Sequence, residues 1–162
     1  MFIPIRIIIS IFLICQSMLL VIHGDPQYQL GLVNAARSQY GLSPLEIVPC
    51  MMDYAQAHSD YQSAINSMTH NDPRGDLFQR GRVYGAILQS AAENVAYGAD
   101  DDDTVMEMWL QSPGHRANIL GRSSTIIGFG VSLDGSGRKY WTQYFGNGQC
   151  STDNNKYQKT VK

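Results

Sequence analysis

Residues 127–133 read Ile-Gly-Phe-Gly-Val-Ser-Leu, with large apolar side chains alternating with glycine or serine. A period of two places every second side chain on the same face, so this run predicts a strand with one packed face. Asp134-Gly135-Ser136-Gly137 follows and has the composition of a tight turn. Arg138 to Phe145 then predicts the returning strand. On it Tyr140, Thr142 and Tyr144 face one way, and Trp141, Gln143 and Phe145 the other. A C-terminal hairpin needs a layer to cover its apolar face, and the upstream sequence offers helices. The expected class is therefore α+β, with helices packed on a mostly antiparallel sheet.

The upstream elements are legible from spacing. Tyr28, Leu32, Ala35 and Ala36 predict a helix over 28–40, with Gly41 as its stop. Tyr54, His58, Tyr61, Ile65 and Met68 form one stripe of a longer helix from about Met51 to Met68, with Met51 and Ala55 beside it. His70 to Gly75 has loop chemistry, and Asp76 to Tyr84 suits a short helix. Glu93 to Tyr97 predicts a short strand. Asp100 to Asp103 precede Thr104 to Leu110, and acidic residues there suit the positive end of a helix. The run lacks the alternating spacing of a calcium loop. Ser112-Pro113-Gly114 ends that helix, and His115 to Leu120 adds another helical turn.

The N-terminus differs in kind. Arg6 is the only firm charge before Asp25, and apart from Ser10 apolar residues fill 7–15 and 18–22. A basic start, an apolar run and a small residue at Gly24 predict a secretory leader over 1–24, with a cut after Ser17 as the second choice. The apolar run is interrupted by Gln16 and Ser17 and is shorter than a spanning helix needs. After cleavage no integral membrane segment is expected. The expected domain covers 25–150, followed by a polar tail over 151–162. The expected location is secreted, in an oxidising compartment. With Cys15 in the leader, Cys50 and Cys150 remain. A disulfide is the simplest reading of that pair, and two separate buried thiols are the alternative. The net charge of −2, from 12 Lys+Arg against 14 Asp+Glu, gives no basic footprint, so nucleic acid is excluded as a partner.

Chemistry-bearing residues are few. His58 lies on an apolar helical stripe and reads as a packed, hydrogen-bonded core histidine. His70 and His115 fall in loops beside glycine and proline, where side chains can converge on a cleft. Glu93 sits in an apolar strand, and a buried carboxylate there needs a histidine or a cation as partner. Two His and one Glu make the ligand set of an open catalytic zinc site, so His70, Glu93 and His115 are the candidate metal ligands. Gly128-Phe129-Gly130 is half of a dinucleotide fingerprint, but within a strand it points to close backbone approach.

Several segments, taken in order, resemble the CAP superfamily of cysteine-rich secretory proteins, antigen 5 and pathogenesis-related 1, also called the SCP domain. They are Leu32-Val33-Asn34 with Arg37, Gly41 to Leu45, Ala57-His58-Ser59, Met68 to Asp72, and Ala92-Glu93-Asn94-Val95-Ala96. The block Trp109 to Leu120, which reads W-L-Q-S-P-G-H-R-A-N-I-L, is the most specific, and Ile127 to Val131 and Tyr140 to Gly146 close the series. The match looks like the compact, cysteine-poor branch. It implies a three-layer α-β-α sandwich whose central cleft holds His and Glu side chains able to bind a divalent cation such as zinc. His70 and Glu93 match the family positions. Ser112 and Tyr140 stand where the family has its second Glu and second His, and His115 is the substitute. The resemblance implies a non-enzymatic extracellular binding or effector module. Its implied partners are sterol or other lipid, or an extracellular protein. The alternative is a metal-dependent hydrolase acting through His70, Glu93 and His115.

Overall fold

The structure, a computed structural model, describes residues 24–152. The leader, apart from Gly24, and the tail, apart from Ser151 and Thr152, lie outside the described residues. In chain order the elements are α1 (Pro26–Gln39), β1 (Glu46–Ile47), α2 (Pro49–Ala64), α3 (Leu77–Val83), β2 (Ala86–Tyr97), α4 (Asp102–Gln111), α5 (Pro113–Ile119), β3 (Ile126–Leu133) and β4 (Lys139–Cys150). The strands form one sheet in the order β1-β3-β4-β2. β3 and β4 make the expected antiparallel hairpin, β2 pairs antiparallel with β4, and short β1 joins parallel to β3. No helix among the described residues is long and apolar enough to cross a membrane.

Helices cover both faces, as the sandwich expectation requires. α2 and α3 lie on one face, and α1, α4 and α5 on the other. Alternation along the hairpin divides the core between them. Ile127, Phe129, Val131, Trp141 and Phe145 pack with Val33, Val105, Met106, Trp109 and Ile119. Ile126 and Tyr144 pack with Met51, Tyr54 and Ala55. The glycines of β3 decide how close α2 can come. A Cβ at Gly128 would collide with the Met51 carbonyl, and one at Gly130 with the Ala55 carbonyl. The close-approach reading of Gly128-Phe129-Gly130 is thus what the fold uses.

Several boundaries differ from the sequence expectation. The long helix stops at Ala64, four residues short of Met68. Asn66 adopts φ 51°, and Ser67 N–H and Asn66 N–H donate to the Gln62 and Ser63 carbonyls, which closes the helix with a Schellman turn. Ile65 and Met68 are exposed in consequence, and the buried face continues through Ser59, Gln62 and Ser63 instead. Ser59 Oγ and Gln62 Nε2 both donate to Thr142 Oγ1 on β4, so these polar groups are satisfied inside. β2 starts at Ala86 rather than Glu93, because it follows β4 as far as Cys150 across a register shift between Leu88 and Ser90. Cys50 and Cys150 are bridged, with Cα atoms 5.6 Å apart. The bridge ties the first turn of α2 to the last residue of β4. Buried Arg37 of α1 donates to the carbonyls of Ser43, Ile119 and Gly121, and so pins the end of α5.

Candidate functional site

Strand alternation sends Glu93 and Asn94 to opposite faces of β2. Glu93 turns toward α2 and α3. Asn94 turns toward α5, where its Nδ2 donates to the His115 carbonyl and its Oδ1 accepts from Asn118 Nδ2. Asn118 Nδ2 also lies 3.2 Å from the Glu93 carbonyl. The Glu-Asn pair therefore joins the two layers at the edge strand.

The Glu93 carboxylate is 5% exposed as a residue and fully partnered. Tyr54 of α2 donates its hydroxyl to Oε2. Arg80 of α3 donates from Nη1 to the same oxygen at 3.2 Å. His70 Nδ1 lies 2.9 Å from Oε1, and His58 Nε2 lies 3.5 Å from it. Burial alone would push the Glu93 carboxyl up. The His70 hydrogen bond, the charges of His58 and Arg80, and the Tyr54 hydroxyl outweigh it and hold the group below its ordinary value. The same burial and the adjacent carboxylate push the Tyr54 hydroxyl far up, so it stays a donor.

A second ionic group supports the first. His58 Nε2 donates to the Thr69 carbonyl at 2.9 Å. Its Nδ1 lies 3.1 Å from Asp72 Oδ2 and 3.0 Å from Arg80 Nη1. One proton decides between them: Nδ1 donates to Asp72 when protonated and accepts from Arg80 when not. Asp72 is also clamped by Arg74, whose Nε donates to Oδ1 at 2.7 Å. Arg74 continues to the Tyr84 hydroxyl and the Ala57 carbonyl. Burial favours the neutral Asp72 acid, yet the Arg74 and His58 bonds hold its carboxyl well below the usual range.

Above this floor opens a cleft of about 690 Å³, lined by His70, Asp76, Leu77, Arg80, Glu93 and Asn118 among others. The His70 side chain is 57% exposed while Glu93 beneath it is 1% exposed. His70 thus presents a ring to the cleft, and its Nδ1 is held from behind.

Of the sequence candidates, the fold brings His70 and Glu93 into direct contact. His115 stands on α5, in the other helical layer. It is near enough to His70 for burial and the His70 charge together to lower its pKa, but its ring makes no hydrogen bond among the described residues. Among those residues no three His, Cys, Asp or Glu side chains are arranged to hold a metal ion. Glu93 spends both oxygens on protein donors, one of them a guanidinium, so the arrangement as it stands does not fit a cation. His58 is the buried, hydrogen-bonded histidine that its stripe predicts, but it also belongs to the site. The sequence reading missed Tyr54, Arg80, Asp72 and Arg74. The available signal was the need of Glu93 for a cation, and Arg80 meets it from a helix whose register the sequence did not orient.

The model of the cysteine-rich secretory protein family, CAP, matches residues 30–145. The uncharacterized protein YkwD of Bacillus subtilis is 36% identical over 115 residues, which is 70% of this chain and 44% of that protein. The uncharacterized membrane protein YlbC of the same bacterium is 35% identical over 117 residues, 72% of this chain and 32% of that protein. Among solved structures, an extracellular protein containing an SCP domain from Bacillus anthracis is 32% identical with a TM-score of 0.67, covering 75% of this chain and 40% of that one. The chain spans less than half the length of each of these relatives.

Proposed function

The chain belongs to the cysteine-rich secretory protein (CAP) family, and we propose that it is an exported, non-catalytic binding module whose ligand site is the cleft around His70 and Glu93. The extracellular description of the Bacillus anthracis relative supports export. So do the Arg6-led leader and the Cys50–Cys150 bridge, which suits an oxidising compartment. One observation carries the non-catalytic reading: both Glu93 oxygens are committed to Tyr54, Arg80 and His70. A carboxylate so occupied is a poor general base, since its proton affinity is already lowered by its donors. His70 is left as a polar contact at the cleft floor, with Leu77, Ala91 and Ala92 as apolar wall. That mixture suits a ligand that is part polar and part apolar. Sterol or other lipid, or a segment of an extracellular protein, are the partner classes proposed.

The rival is a metal-dependent hydrolase with a divalent cation such as zinc on His70, Glu93 and His115. The nearness of His115 to His70 is what favours it. It would need Glu93 to release one of its present donors.

Native mass spectrometry of the exported chain tests the proposal, run with and without added zinc chloride and beside a chromogenic-ester hydrolysis assay. The expected result is a leaderless, bridged chain that retains a co-purified ligand, loses it on His70→Ala, and shows no turnover. Chelator-sensitive hydrolysis that His70→Ala abolishes would overturn the reading in favour of the rival.

A further inference from the structure

The N-termini of α1 and α4 meet at a cluster of carboxylates. Asp25 caps α1, its side chain accepting from the Gln27 and Tyr28 amides. Asp101 caps α4, and Asp102 and Asp103 stand in its first turn. None of these four side chains, nor that of Asp100, has an ion-pair partner among the described residues. Lys139, the cation at this end, donates to the Asp100 carbonyl and not to a carboxylate.

One main-chain nitrogen enters the cluster. Asp25 N–H donates to Asp102 Oδ2 at 3.0 Å, while Gln29 Nε2 holds the other oxygen, Oδ1, at 2.7 Å. Gln29 is 4% exposed, and its Oε1 is a buried acceptor with no partner among the described residues. The Asp25 nitrogen and the Gln29 amide thus share one carboxylate that has no ion-pair partner among the described residues. Gly24 is seated tightly there: a Cβ on it would stand 2.5 Å from the Trp141 ring and 2.8 Å from Asp102 Oδ1.

We propose that hydrolysis of the Gly24–Asp25 bond creates an α-ammonium on Asp25 that pairs with the Asp102 carboxylate and fastens α1 to α4. The inference rests on the proposed removal of the leader. Water supplies the atoms: its oxygen completes the Gly24 carboxylate, and the nitrogen of Asp25 leaves as an amine that is protonated at neutral pH. The existing amide hydrogen bond to Asp102 becomes a charge-assisted one. A positive charge at a helix N-terminus is unfavourable by itself. Here the Asp25 cap and the α4 carboxylates reverse that balance.

The test compares chains beginning at Asp25 with a free amine, beginning at Asp25 with the amine acetylated, and beginning at Gly24, each with Asp102 and with Asp102→Asn. The free-amine chain is expected to melt about 3–5 °C above the acetylated chain, a step of the size one such contact gives a domain this long. The gap is expected to vanish in Asp102→Asn. Equal melting of the free and acetylated chains, or a gap that survives Asp102→Asn, would overturn the pair. If Asp102→Asn does not fold, acylation of the Asp25 amine is followed in folded and urea-unfolded chain. At least about tenfold slower reaction in the folded chain is expected for a paired ammonium, and equal rates would overturn it. Intact mass of the exported chain reads the cut separately. A start other than Asp25 overturns this inference while leaving the cleft reading in place.

Discussion

Arg80 and Glu93 form an ion pair at 3.2 Å with side chains 2% and 1% exposed, and each holds a histidine in place. Glu93 takes the His70 ring on its outer oxygen. Arg80 faces the His58 ring and also donates to the His70 carbonyl from Nη2 at 3.1 Å. Removing the guanidinium strips the buried carboxylate of its permanently charged partner. Arg80→Met is expected to cost about 3–5 kcal/mol in urea unfolding. Adding Glu93→Gln to the same chain should recover part of that loss, because the uncompensated charge is gone. Equal costs for the single and double variants would show that the pair is electrostatically idle.

Acid should lower the stability of the domain over two pH ranges. The His115 pKa is lowered in the fold, so protonation opposes folding and stability declines as pH falls through and below about 6.5. The Asp72 and Glu93 carboxyls are held low in the fold. Their contribution is complete above the unfolded range of about 3.9–4.3 and is lost as pH falls below it. Urea midpoints measured from pH 7 to pH 2 should show both declines. His115→Asn should remove the first, and Asp72→Asn should weaken the second.

The Cys50–Cys150 bridge closes a sequence separation of 100 residues. Replacing both cysteines with serine is expected to cost about 4–5 kcal/mol in the chain-entropy account. Hydrogen exchange should rise first near the C-terminal end of β4, where the bridge ties it to α2. A melting temperature unchanged by reductant would contradict this.

Gly128→Ala and Gly130→Ala each drive a methyl into the backbone of α2. Each should cost about 1–3 kcal/mol or more, the range of an overpacked core. Gly135→Ala, in the hairpin turn with open space around its position, should stay within about 0.5 kcal/mol. Thermal melts of the three variants decide it.

The local pattern alone determined much of this protein. The alternation of Ile127 to Leu133, the Asp134 to Gly137 turn and the return through Tyr140 to Phe145 fixed a hairpin, because period two and turn chemistry are local properties. Gly41 stopped α1 as expected, with φ 64°. The family resemblance carried the sandwich, and it matched His70 and Glu93, which do meet. What only the tertiary structure decided depends on pairings distant in the chain. β1 has two residues and exists because β3 offers it a parallel edge. β2 extends back to Ala86 because β4 runs alongside it. Arg80 and Tyr54 reach Glu93 because α2 and α3 pack on one face of the sheet, and no spacing along the chain encodes that meeting. A buried carboxylate announces in sequence that it needs a partner; which partner arrives is set by how the helices are laid across the sheet.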